Sequence, residues 1–169
     1  RYARASGNAE TMSEHTPRPT HIVADADVLT ADLFGGRSAR DALDMVRSHS
    51  WLELIATEQL LDDAEAGIRT LGDSDLADGW RAAIADIVTL VEQPPGDHPA
   101  LAAAYHGEAA HIISLDERLT SVGAGATLKP RLDVSIRSPD AFVAIIDPAA
   151  IYELAFEEPY PGPDRDPRG

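Results

Sequence analysis

Cysteine is missing from this chain of 169 residues, and lysine occurs once, as Lys129. The first absence excludes disulfides and thiolate metal sites, and it points to a reducing compartment, the cytoplasm. No apolar run approaches membrane-spanning length, since the stretch 141–151 is interrupted by Asp147 and Pro148. Residues 1–20 are polar and lack the apolar core of a signal peptide. The six histidines show no ligand spacing, so neither Cys nor paired His is present to favour zinc. Positive charge is scarce: 14 Lys+Arg stand against 29 Asp+Glu, a formal net charge of -15. An acidic, lysine-poor surface suits a proteome of haloarchaeal type, where concentrated salt screens the repulsion and the charge keeps the protein dissolved. Acids are therefore common here, and a lone Asp carries little information.

What is present is an alternation of strand and helix patterns. The apolar run at 21–28 reads as a first strand. A helix at 38–48 follows Gly35-Gly36 and places Ala39, Ala42, Leu43 and Val46 on one face. Residues 51–56 read as a short extended piece. Thr57 has the position of an N-cap, with Leu60, Leu61, Ala64 and Ile68 as the stripe of a helix ending at Leu71-Gly72. An amphipathic pattern spans 75–92, and Pro94-Pro95-Gly96 breaks it. An alanine-rich helix at 99–106, strands at 111–115 and 131–137, and a helix at 140–146 complete the order. Strands separated by helices, with no two-residue hairpin signal, predict an α/β fold: three layers, α/β/α, around a central and mainly parallel sheet with 21–28 as an inner strand. The domain runs over 20–156. Residues 1–19 read as a disordered leader, with Met12 as an alternative start. The proline-rich, charged stretch 157–169 reads as a disordered tail. Trp51 and Trp80 read as core residues. Arg37, Arg40 and Arg47 are interleaved with Asp41 and Asp44, so intrahelical ion pairs are a simpler reading than a phosphate-binding face.

Several acids fall at element ends. Asp25 and Asp27 close the first strand, two apart and so on one face of it. Asp63 lies one turn into the helix capped by Thr57, Asp97 opens the alanine-rich helix, and Asp116 ends the strand after Ser114. In a parallel sheet, strand C-termini and the N-termini of the following helices meet along one edge. The acids can converge there, where an all-oxygen set suits Mg²⁺ or Mn²⁺. Asp27 has an equally simple reading as a residue that caps the strand-to-helix turn.

These motifs resemble, in order, those of the PIN-domain family of metal-dependent ribonucleases, which includes many toxin–antitoxin toxins. The likeness spans about residues 21–150. It rests on Val23-Ala24-Asp25-Ala26-Asp27-Val28-Leu29, on Thr57 followed by Asp63, on the segment from Asp97 to Ala104, on Ile112-Ile113-Ser114-Leu115-Asp116-Glu117-Arg118-Leu119, and on Ser138-Pro139-Asp140-Ala141-Phe142. The resemblance implies cleavage of single-stranded RNA with Mg²⁺ or Mn²⁺. It makes Asp25, Asp63, Asp97 and Asp116 metal-binding and catalytic residues, and gives Ser114 the task of orienting a carboxylate or water. It also implies a small antitoxin protein and a homodimer as partners. The second acid departs from the family's usual Glu, which leaves Asp62, Asp63 and Glu65 as alternatives for its register. Two other readings stand beside it. One is a PIN-like binding or scaffold module without activity. The other is a phosphatase resembling the haloacid dehalogenases, whose first motif is also Asp-x-Asp after an apolar strand; there the later lysine would have to be Lys129, which follows Asp116 and precedes no acidic pair.

Overall fold

The computed structural model describes residues 16–121 and 133–168. Most of the leader, Lys129 and the start of the strand read at 131–137 lie outside the described residues. Within them, the chain runs β1 (Arg18–Ala24), α1 (Ala26–Leu33), α2 (Arg37–Arg47), β2 (Glu53–Ala56), α3 (Glu58–Leu71), α4 (Ser74–Ala85), β3 (Val88–Leu90), α5 (Pro99–His106), β4 (Ala109–Ile113), α6 (Glu117–Thr120), β5 (Ser135–Arg137), α7 (Pro139–Ile145) and α8 (Pro148–Phe156). No described helix is long and apolar enough to cross a membrane.

The five strands form one sheet in the order β3-β2-β1-β4-β5. Every pairing is parallel. The three-layer α/β/α expectation therefore holds, with β1 at the centre. Ile22, Val23, Ala24, Ile112 and Ile113 are at most 1% exposed, which is why both faces of β1 and β4 read as continuous apolar runs. α5 covers β1, β2 and β4 on one side, and its Ala100, Ala102, Ala103 and Ala104 are all buried. Small side chains let this helix lie close to the sheet, and the approach is tightest at Gly107. A Cβ there would stand 2.3 Å from Ile55 Cγ2 and 2.8 Å from the Ala103 carbonyl oxygen. Gly107→Ala is therefore expected to overpack the α5–β2 contact and cost about 2 kcal/mol, a drop in Tm of roughly 4–8 °C by thermal unfolding. An unchanged Tm would mean that the helix can ride up without loss.

Four sequence expectations are corrected. The first strand stops at Ala24 rather than continuing to Val28: Asp25 caps α1, and Asp27 lies in its first turn, so the two acids do not share a strand face. The helix expected to 92 ends at Ala85, because the β-branched run after it pairs with β2, Leu54 facing Val88 and Ala56 facing Leu90. Asp97 does not cap the alanine-rich helix. The cap is His98, whose Nδ1 accepts from Ala100 N at 3.1 Å, with Pro99 at the first helical position.

The last correction concerns the proline-rich end. Glu157 takes a left-handed conformation, and the residues after it return across the end of α2. Tyr160 OH lies 2.6 Å from His49 Nε2. Asp164 accepts from Ser50 N at 2.7 Å and from the Ser50 hydroxyl, while Asp164 N and Arg165 N both donate to the Ser48 carbonyl. Trp51 anchors this seam with rings of Tyr152, Phe156 and Tyr160 around it. A segment too polar to form a core of its own is held by partners supplied from α2 and the turn after it. Of the α2 cations, Arg47 bonds Asp44 at 2.6 Å within its helix and forks onto both oxygens of Asp32 at 2.9 Å, while Arg40 donates to the Asp32 carbonyl outside it.

Candidate active site at the sheet switch point

Strands β1, β2 and β3 step outward on one side, and β4 then returns to the other side of β1. The C-terminal ends of β1 and β4 thus flank the point where strand order reverses, the position at which open parallel sheets bind ligands. Asp25 follows β1, and Ser114 and Asp116 follow β4.

These residues are joined by a short hydrogen-bonded chain. Asp25, only 8% exposed, accepts from Ala26 N at 2.8 Å through one oxygen and from the Ser114 hydroxyl at 2.9 Å through the other. Ser114 Oγ, fully buried, accepts in turn from Asp116 N at 3.0 Å. Backbone bonds from Asp25 N to Ile113 O and from Ser114 N to Arg137 O lock the strand ends in register. Ser114 therefore ties the Asp25 carboxylate to the Asp116 backbone.

Asp27 joins this group. Its Oδ1 accepts from Leu115 N at 3.3 Å, across the gap between α1 and the segment after β4. Burial pushes the Asp27 carboxyl up, and the negative charges of Asp25 and, to a smaller extent, Asp116 add to the rise, against N–H bonds from Leu115 and Val28. Asp116 goes the other way. Hydrogen bonds from the Arg118 side chain and backbone hold it below the usual carboxylate range, and the charge of His98 contributes less. Sequence reading left Asp27 between site residue and cap. Its two-residue spacing from Asp25 was the available signal, and a helix start, not a strand, brings the two together. Asp27→Asn keeps an oxygen for Leu115 N–H and removes one repelling charge. It is expected to stabilise the metal-free protein by about 1 kcal/mol, roughly 2–4 °C in Tm. A lower Tm would show that the charge is needed where it stands.

The other two expected acids have partners outside this hydrogen-bonded chain. Asp63 is exposed on α3 and accepts from Gln59 Nε2 at 2.8 Å, one turn earlier on the same helix. The register alternatives, Asp62 and Glu65, bond Arg81 of α4 at 2.9 and 2.7 Å, where they hold two helices together. Asp97 is exposed, and what ties it in is its backbone: Thr57 Oγ1 donates to Gln93 Oε1, and Gln93 Nε2 donates to the Asp97 carbonyl. Among the described residues no three acids or histidines are grouped so as to hold a metal ion. Asp25, Asp27 and Asp116 stand at adjoining strand and helix ends, and as placed they form no metal-holding group.

Fold and site together define an all-parallel α/β protein with a carboxylate cluster at its switch point. The chain belongs to the family of unknown function DUF7384, whose model matches residues 16–168. No curated protein and no solved structure matches it.

Proposed function

We propose that this protein is a Mg²⁺- or Mn²⁺-dependent endoribonuclease of PIN type that cleaves single-stranded RNA. The observation that carries the reading is the hydrogen-bonded link of Asp25, Ser114 and Asp116 at the switch point, with Asp27 bonded to Leu115 N beside them. Excess negative charge there is relieved by a divalent cation. When bound, such a cation polarises a phosphodiester and activates water. The chain's own part is to hold oxygens in place. Ser114 fixes the orientation of Asp25, the Leu115 N–H fixes Asp27, and the start of α6 presents Asp116. With a formal net charge of -15, RNA binding would rest on metal and Arg contacts rather than on a basic patch.

Cleavage of single-stranded RNA that requires Mn²⁺ and stops with EDTA is the expected result, assayed in concentrated KCl. Asp63→Asn and Asp97→Asn test the outlying acids: with the switch-point trio as the centre, each should leave most of the activity. That no three acids or histidines are grouped to hold a metal among the described residues favours a second reading, a PIN-like binding module, which predicts RNA binding without turnover at any metal concentration. A small antitoxin protein, a homodimer and a cytoplasmic location complete the proposal. Co-purification from the native host and sedimentation of the purified chain test the two partners.

A further inference from the structure

The end of the C-terminal segment closes one side of a cavity of about 520 Å³ that none of the switch-point acids borders. A volume of this size is that of a small-molecule site. One wall is apolar: Leu33 at the end of α1, Trp80 and Ile84 of α4, and Ile87 just after that helix. Ile84 is buried, but Trp80 is half-buried and Ile87 is 36% exposed, so the cavity holds apolar surface that the fold leaves uncovered.

The facing wall is cationic. Arg40 and Arg47 of α2 and Arg168 of the C-terminal segment border the cavity, and among the described residues Asp32 is the one acid that does. Arg47 bonds both Asp32 and Asp44, and Arg168 shares Asp44 at 2.7 Å. Arg40 donates through Nε and Nη2 to the Asp32 carbonyl, and its Nε stands 4.0 Å from a carboxylate oxygen of the same residue. Three guanidinium groups thus share two carboxylates, and one positive charge is left over in a chain whose net charge is -15. Arg47 Nε is also buried without a hydrogen-bond partner among the described residues. A buried donor left open costs stability unless a ligand or water meets it.

We propose that this cavity binds an amphiphilic organic carboxylate, with its apolar body on Trp80, Ile84 and Ile87 and its charged head on Arg40 and Arg168. Arg168 is 64% exposed and places one nitrogen on Asp44, so the rest of its fork is open to a second carboxylate. The single surplus charge matches a monoanion, whereas a phosphate monoester would bring up to two negative charges to it. The proposal stands apart from the nuclease reading and uses none of its residues.

The test uses the full chain with anilinonaphthalene sulfonate as a fluorescent monoanion, decanoate as competitor and decanol as its uncharged control. Salt screens the arginines, so all titrations are run at the lowest KCl concentration that keeps the circular dichroism of the fold. Wild type should bind the dye saturably at one site and release it to decanoate at concentrations at least about tenfold lower than to decanol. Arg168→Gln and Arg40→Gln should each weaken dye and decanoate by about three- to tenfold, and Arg168→Lys should recover much of that loss. Ile87→Glu, which places a negative charge at an exposed point of the apolar wall, should weaken both by more than about tenfold with unchanged circular dichroism. Absence of saturable binding overturns the proposal. Equal displacement by decanol and decanoate, or wild-type affinity in Arg168→Gln and Arg40→Gln, removes the charged head from it and overturns it as well. Wild-type affinity in Ile87→Glu places the dye outside the cavity, with the same consequence. RNA cleavage is untouched by each of these outcomes, so the nuclease reading stands or falls separately.

Discussion

Asp25→Asn is expected to abolish stabilisation by Mn²⁺ and to reduce RNA cleavage by about a hundredfold or more. Asn retains the shape and an oxygen that can accept from Ala26 N, and it is as good an N-cap as Asp, so α1 should still start at the same residue. What is lost is a full negative charge next to the cation, and about 3 kcal/mol of charge stabilisation corresponds to roughly two orders of magnitude in rate. A readout that needs no substrate accompanies it. A ligand that binds only the folded state at about a hundred times its Kd stabilises by about 2.7 kcal/mol, which for a chain of this size is a rise in Tm of roughly 5–10 °C. Wild type should show that rise with Mn²⁺ and Asp25→Asn should not. Without metal the variant should be no less stable than wild type, because the charge pressing on Asp27 is removed. An Asn variant that still cleaves, and that Mn²⁺ still stabilises, would place the chemistry somewhere other than the switch point.

Acid should unfold the protein through His111. Its ring lies on the face of β4 that also carries Arg137 of β5, since Ile113 pairs with Arg137 and His111 with Ser135. Phe142 packs edge-on at 6.0 Å, and His111 Nδ1 is buried without a hydrogen-bond partner. Burial, helped by the Arg137 charge, lowers the imidazole from 6.5 to about 4. The folded state keeps this ring neutral where the unfolded chain already binds a proton. Stability is therefore complete above about pH 6.5, falls as pH drops through the window, and stops falling on this account below about 4. The whole window is worth on the order of 3 kcal/mol, and the part between about pH 6.5 and 5 about 2 kcal/mol, measured as a shift in urea midpoint. His111→Leu fills a similar volume without a titrating group and should flatten that part of the profile. Parallel profiles for wild type and variant would remove His111 as the acid trigger.

The legible features share one property: their cause is local or periodic. Apolar runs without alternation at 21–24 and 111–113 required burial on both faces, and strands buried in that way belong to parallel sheets. Thr57 announced a helix start through its own side chain, which accepts from Leu60 N. Asp25, Ser114 and Asp116 stood out because each sits where a strand gives way to a helix, and the structure joins those three through hydrogen bonds. Less legible was the extent of elements whose partners are distant. Residues 88–90 have a helical pattern within their own segment, and only the edge of β2, more than thirty residues earlier, makes them a strand. The segment from Tyr160 to Arg168 has the composition of a disordered tail, and it is held by Asp44 of α2 and by Ser48, His49, Ser50 and Trp51 just after that helix.

The sequence by itself determined the class of fold, the inner position of the first strand, and the identity of the acids and the serine at the strand ends. These follow from hydrophobic period and from the residue types that cap helices, and both act over one or two turns of chain. Tertiary structure decided which acids share a site. Asp27 was drawn in because α1 begins at Ala26 and turns it toward Leu115. Asp62 and Glu65 were drawn away because Arg81 of a different helix claims them, and Asp63 faces solvent beside Gln59. Convergence of charges depends on distances between elements far apart in the chain. Local pattern carries no information about those distances, and an acidic sequence offers many carboxylates from which only packing selects.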